Sequence, residues 1–130
     1  MGKHLFIAVV DDDPSVCKAL GRLLRTSQMD VETHESGDAF LSAMTERKPD
    51  CLILDIRMPS MTGPELRGRL LDAGRGLPIV FITAHAEDMV IERRLRAEGV
   101  EILRKPFDNQ ALLDAIQRAI VRGGGANVRN

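Results

Sequence analysis

The chain has 130 residues, of which 44% are hydrophobic, and a formal net charge of −1. This length suits one domain with a single core. A charge so close to neutral argues against an overall field that would recruit nucleic acid or an anionic membrane. No apolar stretch is long enough to span a bilayer and no cleavable leader is evident, so we expect a cytoplasmic protein with no direct nucleic-acid or membrane contact.

Strand and helix patterns alternate from the amino terminus. Residues 5–10 form an unbroken apolar run, which predicts a buried strand, and a helix with leucines on one face begins at Pro14. Residues 30–34 alternate apolar and polar side chains, as an edge strand does. A second helix opens at Ser36 and Gly37.

The same alternation continues to the carboxyl terminus. The apolar residues 51–54 and the Asp55 that ends them suit a strand buried on both faces of a parallel sheet. A third helix begins at Gly63, and a further apolar run over 77–82 ends on Thr83. Residues 86–98 predict a helix whose apolar residues are scattered, so we expect it to be held weakly and to move. A short strand over 100–103 precedes the last helix.

Five such alternations with short connections are typical of a parallel sheet covered by helices on both faces. With residues 30–34 at an edge, the strand order is 2-1-3-4-5, which defines an α/β, flavodoxin-like (βα)5 three-layer sandwich. We expect the domain to occupy residues 1–121. Residues 122–130 have no apolar period, so we expect a flexible tail or the start of a linker.

Polar side chains follow four of the predicted strands. Asp11 and Asp12, Asp55, Thr83 and Lys105 should meet at the carboxyl edge of the sheet, where ligands bind in open α/β folds. A lone aspartate such as Asp55 would more simply cap a turn, but three carboxylates in one place repel one another unless a cation lies among them. A hard divalent ion fits oxygen ligands, Mg²⁺ in the first place and Mn²⁺ as a second choice.

The remaining groups at this edge favour phosphoryl chemistry. Lys105 supplies a mobile positive charge and Thr83 a hydroxyl donor, and both are groups that stabilise a phosphoryl moiety during transfer. Asp55 can then act as the nucleophile that attacks phosphorus and forms an acyl phosphate.

Five separated motifs, in the family's order, resemble the receiver domain of two-component response regulators over nearly the whole chain. They are Val9-Val10-Asp11-Asp12-Asp13-Pro14-Ser15-Val16, Leu54-Asp55-Ile56-Arg57-Met58-Pro59, Met61-Thr62-Gly63, Ile82-Thr83-Ala84 and Lys105-Pro106-Phe107. The residues of the first and last motifs resemble those of regulators with a LuxR-type helix-turn-helix output.

This resemblance implies roles for the acidic residues. Asp55 would be the phosphoacceptor, and Asp11 and Asp12 would hold Mg²⁺ together with Asp55 and the backbone carbonyl of Arg57. The phosphoryl group would come from a sensor histidine kinase or a phosphotransfer protein. Such a domain is not a conventional enzyme, because it catalyses only its own phosphorylation and dephosphorylation.

The resemblance also implies a switch. Thr83 and Lys105 would contact the phosphoryl group, with a cis Lys105-Pro106 bond that aims the lysine inward. Where many receivers carry a switching tyrosine or phenylalanine, this chain has Ile102. We therefore expect the conformational shift to rely more on the helix over 86–98 and on the packing of Phe107.

Two further residues could modulate the lifetime of the phosphorylated state. Arg57 and His85 lie two positions after Asp55 and Thr83, beside the expected path of the attacking water. The surface formed by the fourth helix, the fifth strand and the fifth helix would transmit the signal to a partner or an output domain, or through a homodimer formed on phosphorylation.

Other classes of protein fit less well. A dehalogenase-type hydrolase needs an acid two residues after its nucleophile, where this chain has Arg57. A flavin carrier needs a phosphate-binding loop after the first strand, where this chain has three aspartates that would repel the flavin phosphate. A phosphorylation-independent scaffold with the receiver fold remains the alternative, although the complete set of site residues argues against it.

Overall fold

Five strands alternate with five α-helices in residues 4–129, the part of the chain that the computed structural model describes, with side chains described to Gly123. The strands are β1 (Phe6–Val10), β2 (Asp30–His34), β3 (Cys51–Asp55), β4 (Ile79–Thr83) and β5 (Glu101–Arg104). The helices are α1 (Pro14–Thr26), α2 (Gly37–Ala43), α3 (Gly63–Asp72), α4 (Met89–Ala97) and α5 (Asn109–Arg129). A 3-10 turn at Ala86–Asp88 directly precedes α4.

The strands are all parallel and form one sheet in the order β2-β1-β3-β4-β5, which confirms the predicted topology. In this register Val10 lies beside Leu54, and Asp55 lies beside Ile82. The carboxyl ends of β1, β3 and β4 are therefore level with one another. The residues that follow these strands emerge at one edge of the sheet, as the sequence analysis requires.

Each face of the sheet has its own core, because successive side chains along a strand point to opposite faces. One core lies under α1 and α5 and contains, among others, Ile7, Val9, Leu24, Ile53, Val80 and Leu112. The other lies under α2, α3 and α4 and contains, among others, Val10, Phe40, Leu54, Leu66, Phe81 and Leu95. The two cores and the sheet between them confirm the three-layer sandwich.

Helix starts set the direction of the loops at the carboxyl edge. Asp13 caps α1, since its carboxylate accepts hydrogen bonds from the backbone amide and the hydroxyl of Ser15 at 2.9 and 2.7 Å. These hydrogen bonds from Ser15 lower the pKa of Asp13. Thr62 and Glu65 form a capping box at the start of α3. Asp13 therefore serves as a helix cap, and the loop after β1 presents Asp11 and Asp12 instead.

The fourth helix differs from its sequence prediction. Residues 86–98 were expected to form one weakly amphipathic helix, but they form the 3-10 turn and then α4. The inward face carries Asp88, Glu92 and Leu95, whereas Val90 is 72% exposed. Hydrophobic periodicity failed here because two of the three inward residues are acids.

The fifth helix continues past Val121 to Arg129, through most of the segment predicted as a tail. Its contacts also extend beyond Val121. Arg122 hydrogen-bonds the carbonyl oxygen of Gly99 and pairs with Glu101, and Gly123 lies close to Pro78. Residue 130 lies outside the described residues, and a linker role for this segment stays a prediction.

None of the helices in the described part of the chain combines the length and the apolar character that crossing a membrane would need.

Candidate functional site

A cleft of about 530 Å³ opens at the carboxyl edge of the sheet. Most of the predicted site residues line it, namely Asp11, Asp12, Asp55, Arg57, His85 and Lys105. Thr83 and Ile102 are not among its lining residues. The chain thus brings together side chains from the ends of β1, β3 and β5 and from the loop after β4.

Three carboxylates lie close together in this cleft. One oxygen from each of Asp11, Asp12 and Asp55 lies within 4.8 Å of the others. Asp11 and Asp55 are buried at the ends of β1 and β3, whereas Asp12 is exposed. Such an arrangement is costly for three negative charges unless a cation compensates them.

Asp11 provides a direct test of whether this group fits a cation. Its Oδ1 atom accepts a hydrogen bond from the backbone amide of Asp13 at 2.9 Å. Its Oδ2 atom is buried and receives no hydrogen bond from any residue that the structure describes. A buried carboxylate oxygen without a donor is costly, and a hard metal ion would remove that cost. The acidic group therefore suits a divalent ion with oxygen ligands.

Burial and neighbouring charges change the protonation of the two buried acids. Burial, together with the negative charge of Asp11, raises the pKa of Asp55 to about 6, although Lys105 opposes the shift. Burial also raises the pKa of Asp11. Both shifts show that the ionised pair is unfavourable in the absence of a cation.

Lys105 follows β5 and is held to β4 by a backbone hydrogen bond from its amide to the carbonyl oxygen of Thr83, at 2.8 Å. The Lys105-Pro106 peptide bond is cis, as the resemblance implies. The Nζ atom lies 3.6 Å from Asp11 Oδ2, which makes an ion pair too long for a hydrogen bond. The lysine therefore reaches the acidic group from the side of Asp11.

Backbone amides in the loops orient two of the site oxygens. The amide of Arg57 lies 3.4 Å from Asp55 Oδ1 and donates to it, which places the Arg57 backbone beside the acidic group. The amide of His85 donates to the Thr83 hydroxyl at 3.2 Å. The side chain of His85 is exposed at the rim of the cleft.

The Thr83 hydroxyl is directed away from the cleft. It donates to Asp88 Oδ2 at 2.8 Å, and the Nε atom of Arg57 donates to Asp88 Oδ1, also at 2.8 Å. Thr83 and Asp88 are each only 1% exposed. The sequence analysis did not identify Asp88. Its spacing of four and seven residues from Glu92 and Leu95 is the signal that could have revealed an inward face.

Ile102 lies on β5, between β4 and α4 in the second core, and is 4% exposed. Its partner on the neighbouring strand β4 is Phe81. Ile102 is therefore connected to the cleft through β4 and through its own strand, which leads to Lys105.

The fold and the acidic cleft define the class of protein. The sequence model of the family described as the response regulator receiver domain matches residues 7–117. The chain belongs to this family.

Relatives of known name support this assignment. The response regulator protein TodT of Pseudomonas putida is 36% identical over 114 residues, which cover 88% of this chain and 50% of that protein. The transcriptional regulatory protein FixJ of Rhizobium meliloti is 33% identical over 113 residues, or 87% of this chain and 55% of FixJ. The chain thus spans about half the length of the curated relatives it matches.

A solved structure gives the same result in three dimensions. The response regulator receiver protein from Burkholderia phymatum superposes with a TM-score of 0.76 at 39% identity, covering 89% of this chain and 94% of that one. The shared fold therefore extends over almost all of both chains.

Proposed function

We propose that this receiver domain accepts a phosphoryl group on Asp55 from a phosphohistidine of a sensor histidine kinase or a phosphotransfer protein. The observation that carries the proposal is the position of Asp55 in the cleft. It is the only one of the three clustered acids at the end of the central strand β3, and its carboxylate accepts a hydrogen bond from the backbone amide of Arg57.

The chemistry is an in-line displacement at phosphorus. A carboxylate oxygen of Asp55 forms the new bond to phosphorus while the bond to the histidine nitrogen of the donor breaks, which leaves an acyl phosphate on Asp55. Lys105 supplies positive charge beside the oxygens of the transferring group. Attack of water on the acyl phosphate later releases inorganic phosphate and restores the carboxylate.

Asp11, Asp12 and Asp55, with the backbone carbonyl of Arg57, would hold Mg²⁺ or, as a second choice, Mn²⁺. When bound, the ion would neutralise the clustered carboxylates and the charge of the phosphoryl oxygens. The buried Oδ2 atom of Asp11, which receives no hydrogen bond from the described residues, supports this ligand set.

The output is proposed to be transcriptional. Relatives such as FixJ are named as transcriptional regulatory proteins and are longer than this chain, so a LuxR-type DNA-binding domain would follow the receiver in a full-length regulator. This chain would contact no nucleic acid itself and would act in the cytoplasm. Its signal would pass through the surface of α4, β5 and α5, to an output domain or a second copy.

Incubation with acetyl phosphate and Mg²⁺, followed by intact-mass measurement, tests the proposal. We expect the wild-type chain to gain the mass of one phosphoryl group, and Asp55→Asn to gain none. Asp72→Asn, which removes an exposed acid on α3, is the matched control and should behave as wild type. A wild-type chain that gains no mass would favour the phosphorylation-independent scaffold.

A further inference from the structure

Asp88 is a buried acid that the receiver motifs do not include. Its two carboxylate oxygens are both used, one by the Thr83 hydroxyl and one by the Arg57 guanidinium, each at 2.8 Å. These two donors come from residues beside the proposed phosphoryl site, at the end of β4 and just after β3. Asp88 therefore links the end of β4 and the loop after β3 to the start of α4.

The contact with Thr83 competes with phosphoryl binding. A hydroxyl group has one proton to donate, and in this structure the proton of Thr83 points to Asp88 Oδ2. Thr83 cannot donate to a phosphoryl oxygen on Asp55 without giving up this hydrogen bond. The two states of Thr83 are thus mutually exclusive.

The same contact holds the start of α4. Asp88 is the last residue of the 3-10 turn, and its backbone amide donates to the carbonyl oxygen of His85 at 3.1 Å. Its side chain makes no capping hydrogen bond to α4 and points into the protein instead. When Thr83 leaves, the first turn before α4 loses a buried attachment to β4.

We infer that Asp88 is a positioning residue that holds the Thr83 hydroxyl away from the phosphoryl site in the unphosphorylated protein, and that phosphorylation breaks its bond to Thr83. The inference rests on the proposed phosphorylation of Asp55. It extends that proposal by naming the contact that must be lost before α4 can respond.

Arg57 can replace the hydrogen bond that Asp88 loses when Thr83 moves. Its Nε atom already lies on Asp88 Oδ1, and its side chain is 47% exposed, so further N–H groups of the same guanidinium are available. A bidentate pair with Asp88 would occupy Oδ2 after Thr83 has left. The buried carboxylate then keeps two hydrogen bonds in both states.

The variant Asp88→Asn tests the inference with little change in shape. Its amide has one acceptor oxygen, and facing that oxygen toward Arg57 leaves only an NH₂ group for Thr83, which frees the hydroxyl proton. We expect the rate of phosphorylation by acetyl phosphate to rise by about threefold to tenfold, the equivalent of one hydrogen bond. Glu87→Gln, the same change at the exposed neighbouring acid, should leave the rate unchanged.

A double-mutant cycle with Thr83→Val separates positioning from general loosening. If Asp88 acts through the Thr83 hydroxyl, Asp88→Asn will not change the rate in the Thr83→Val background. An equal gain in both backgrounds, or a rate for Asp88→Asn equal to that of wild type, would overturn the inference alone. A wild-type chain that takes no phosphoryl group would overturn the proposed function as well.

A measurement on the wild-type chain covers the case in which the variant does not fold. The His85 amide donates to Thr83 Oγ1, and the Asp88 carboxyl accepts from it, so both report the position of that hydroxyl. We expect the amide proton of His85 and the side-chain carboxyl carbon of Asp88 to shift in NMR spectra when beryllofluoride and Mg²⁺ are added. Unchanged shifts at both nuclei would overturn the inference.

Discussion

At the scale of single residues, the site depends on charges that the protein cannot neutralise alone. Asp11 and Asp55 are buried next to each other, and Lys105 is the one cation within 4 Å of these two acids among the described residues. That lysine pairs with Asp11, so Asp55 carries most of the electrostatic cost. The raised pKa of Asp55 follows from its burial and from the charge of Asp11.

This cost predicts how Asp55→Asn changes stability in the absence of metal. The pKa of Asp55 is about 6 in the folded state and 3.8 ordinarily, so the folded state binds more protons between these values. The free energy of unfolding therefore falls as pH rises from about 4 to 6, and stays lower above that window. With EDTA at pH 7, we expect Asp55→Asn to be more stable than wild type by on the order of 2 kcal/mol.

Urea unfolding followed by circular dichroism at pH 4 and pH 7 measures this effect. The gain from Asp55→Asn should shrink toward pH 4, where the wild-type carboxyl is protonated in the folded state and about half protonated in the unfolded state. Asp72→Asn should show no such pH-dependent gain. A gain of the same size at both pH values would contradict the electrostatic explanation.

Arg57 is expected to affect the lifetime of the acyl phosphate. Its side chain lines the cleft two residues after Asp55, beside the expected path of the attacking water. We predict that Arg57→Ala, by opening this path, speeds the loss of the phosphoryl group several-fold. The decay of the phosphorylated mass after removal of acetyl phosphate measures it, with Arg69→Ala on the exposed side of α3 as the control. An unchanged decay would show that Arg57 does not shield the site.

At the scale of elements, α3 has to approach β3 closely. The structure places Gly63, the first residue of α3, directly against the backbone of Asp55, and its amide donates to the carbonyl oxygen of Ile56 at 2.9 Å. A Cβ atom at this position would collide with the carbonyl oxygen of Asp55 and lie 2.9 Å from the ring of Phe81. The absence of a side chain at Gly63 thus allows α3 to pack directly against the backbone of Asp55, the phosphoacceptor candidate.

Two alanine substitutions in the same helix should have opposite effects. Gly63→Ala should destabilise the fold by roughly 1–3 kcal/mol, because the neighbouring atoms are backbone and a packed ring. Gly68→Ala meets no atom within 4 Å and should stabilise by roughly 0.5–1 kcal/mol, as alanine favours a helix interior over glycine. Thermal unfolding of the two variants provides the comparison, and a destabilised Gly68→Ala would contradict it.

The inner face of α4 is held largely by polar contacts. Glu92 accepts hydrogen bonds from Arg96 at 2.9 Å and from Arg104 at 3.0 Å. Burial opposes ionisation of Glu92, but these hydrogen bonds outweigh it and lower the pKa. Each arginine side chain is about half exposed, so such pairs add little to stability. This polar attachment fits a helix that can shift at low cost.

We therefore predict that α4 is the element that responds most to a phosphoryl mimic. Amide NMR spectra with beryllofluoride and Mg²⁺ should show larger shifts in residues 86–97 than in α1, which packs through Leu20 and Leu24. Ile102 lies between α4 and β4 and offers no ring to swing inward, so the helix itself has to carry the change. Identical spectra for α4 with and without the mimic would contradict this expectation.

At the scale of the whole molecule, α4 also presents an apolar surface. Met89, Val90 and Ile91 are 43%, 72% and 37% exposed, next to the turn that contains Asp88. A shift of this turn would rearrange the surface that a second copy or an output domain could contact.

We predict that phosphorylation changes the oligomeric state. Light scattering coupled to size exclusion should find a monomer in the resting protein and a dimer in the presence of beryllofluoride and Mg²⁺. Val90→Glu on α4 should prevent the dimer. The same change at Val121, an exposed position on α5, shows whether α5 also belongs to the dimer surface. A single mass under both conditions would indicate that the signal passes through other partners.

The amino-acid sequence by itself determined the sheet and the acidic site. Unbroken apolar runs mark β1, β3 and β4, and the carboxyl ends of parallel strands meet at one edge, so Asp11, Asp12 and Asp55 could be placed together before any coordinates. The tertiary structure alone decided where the side chains point. It turned Thr83 toward Asp88, paired Lys105 with Asp11 and put two acids on the inner face of α4, because hydrogen-bond partners depend on distances between elements that no local pattern encodes.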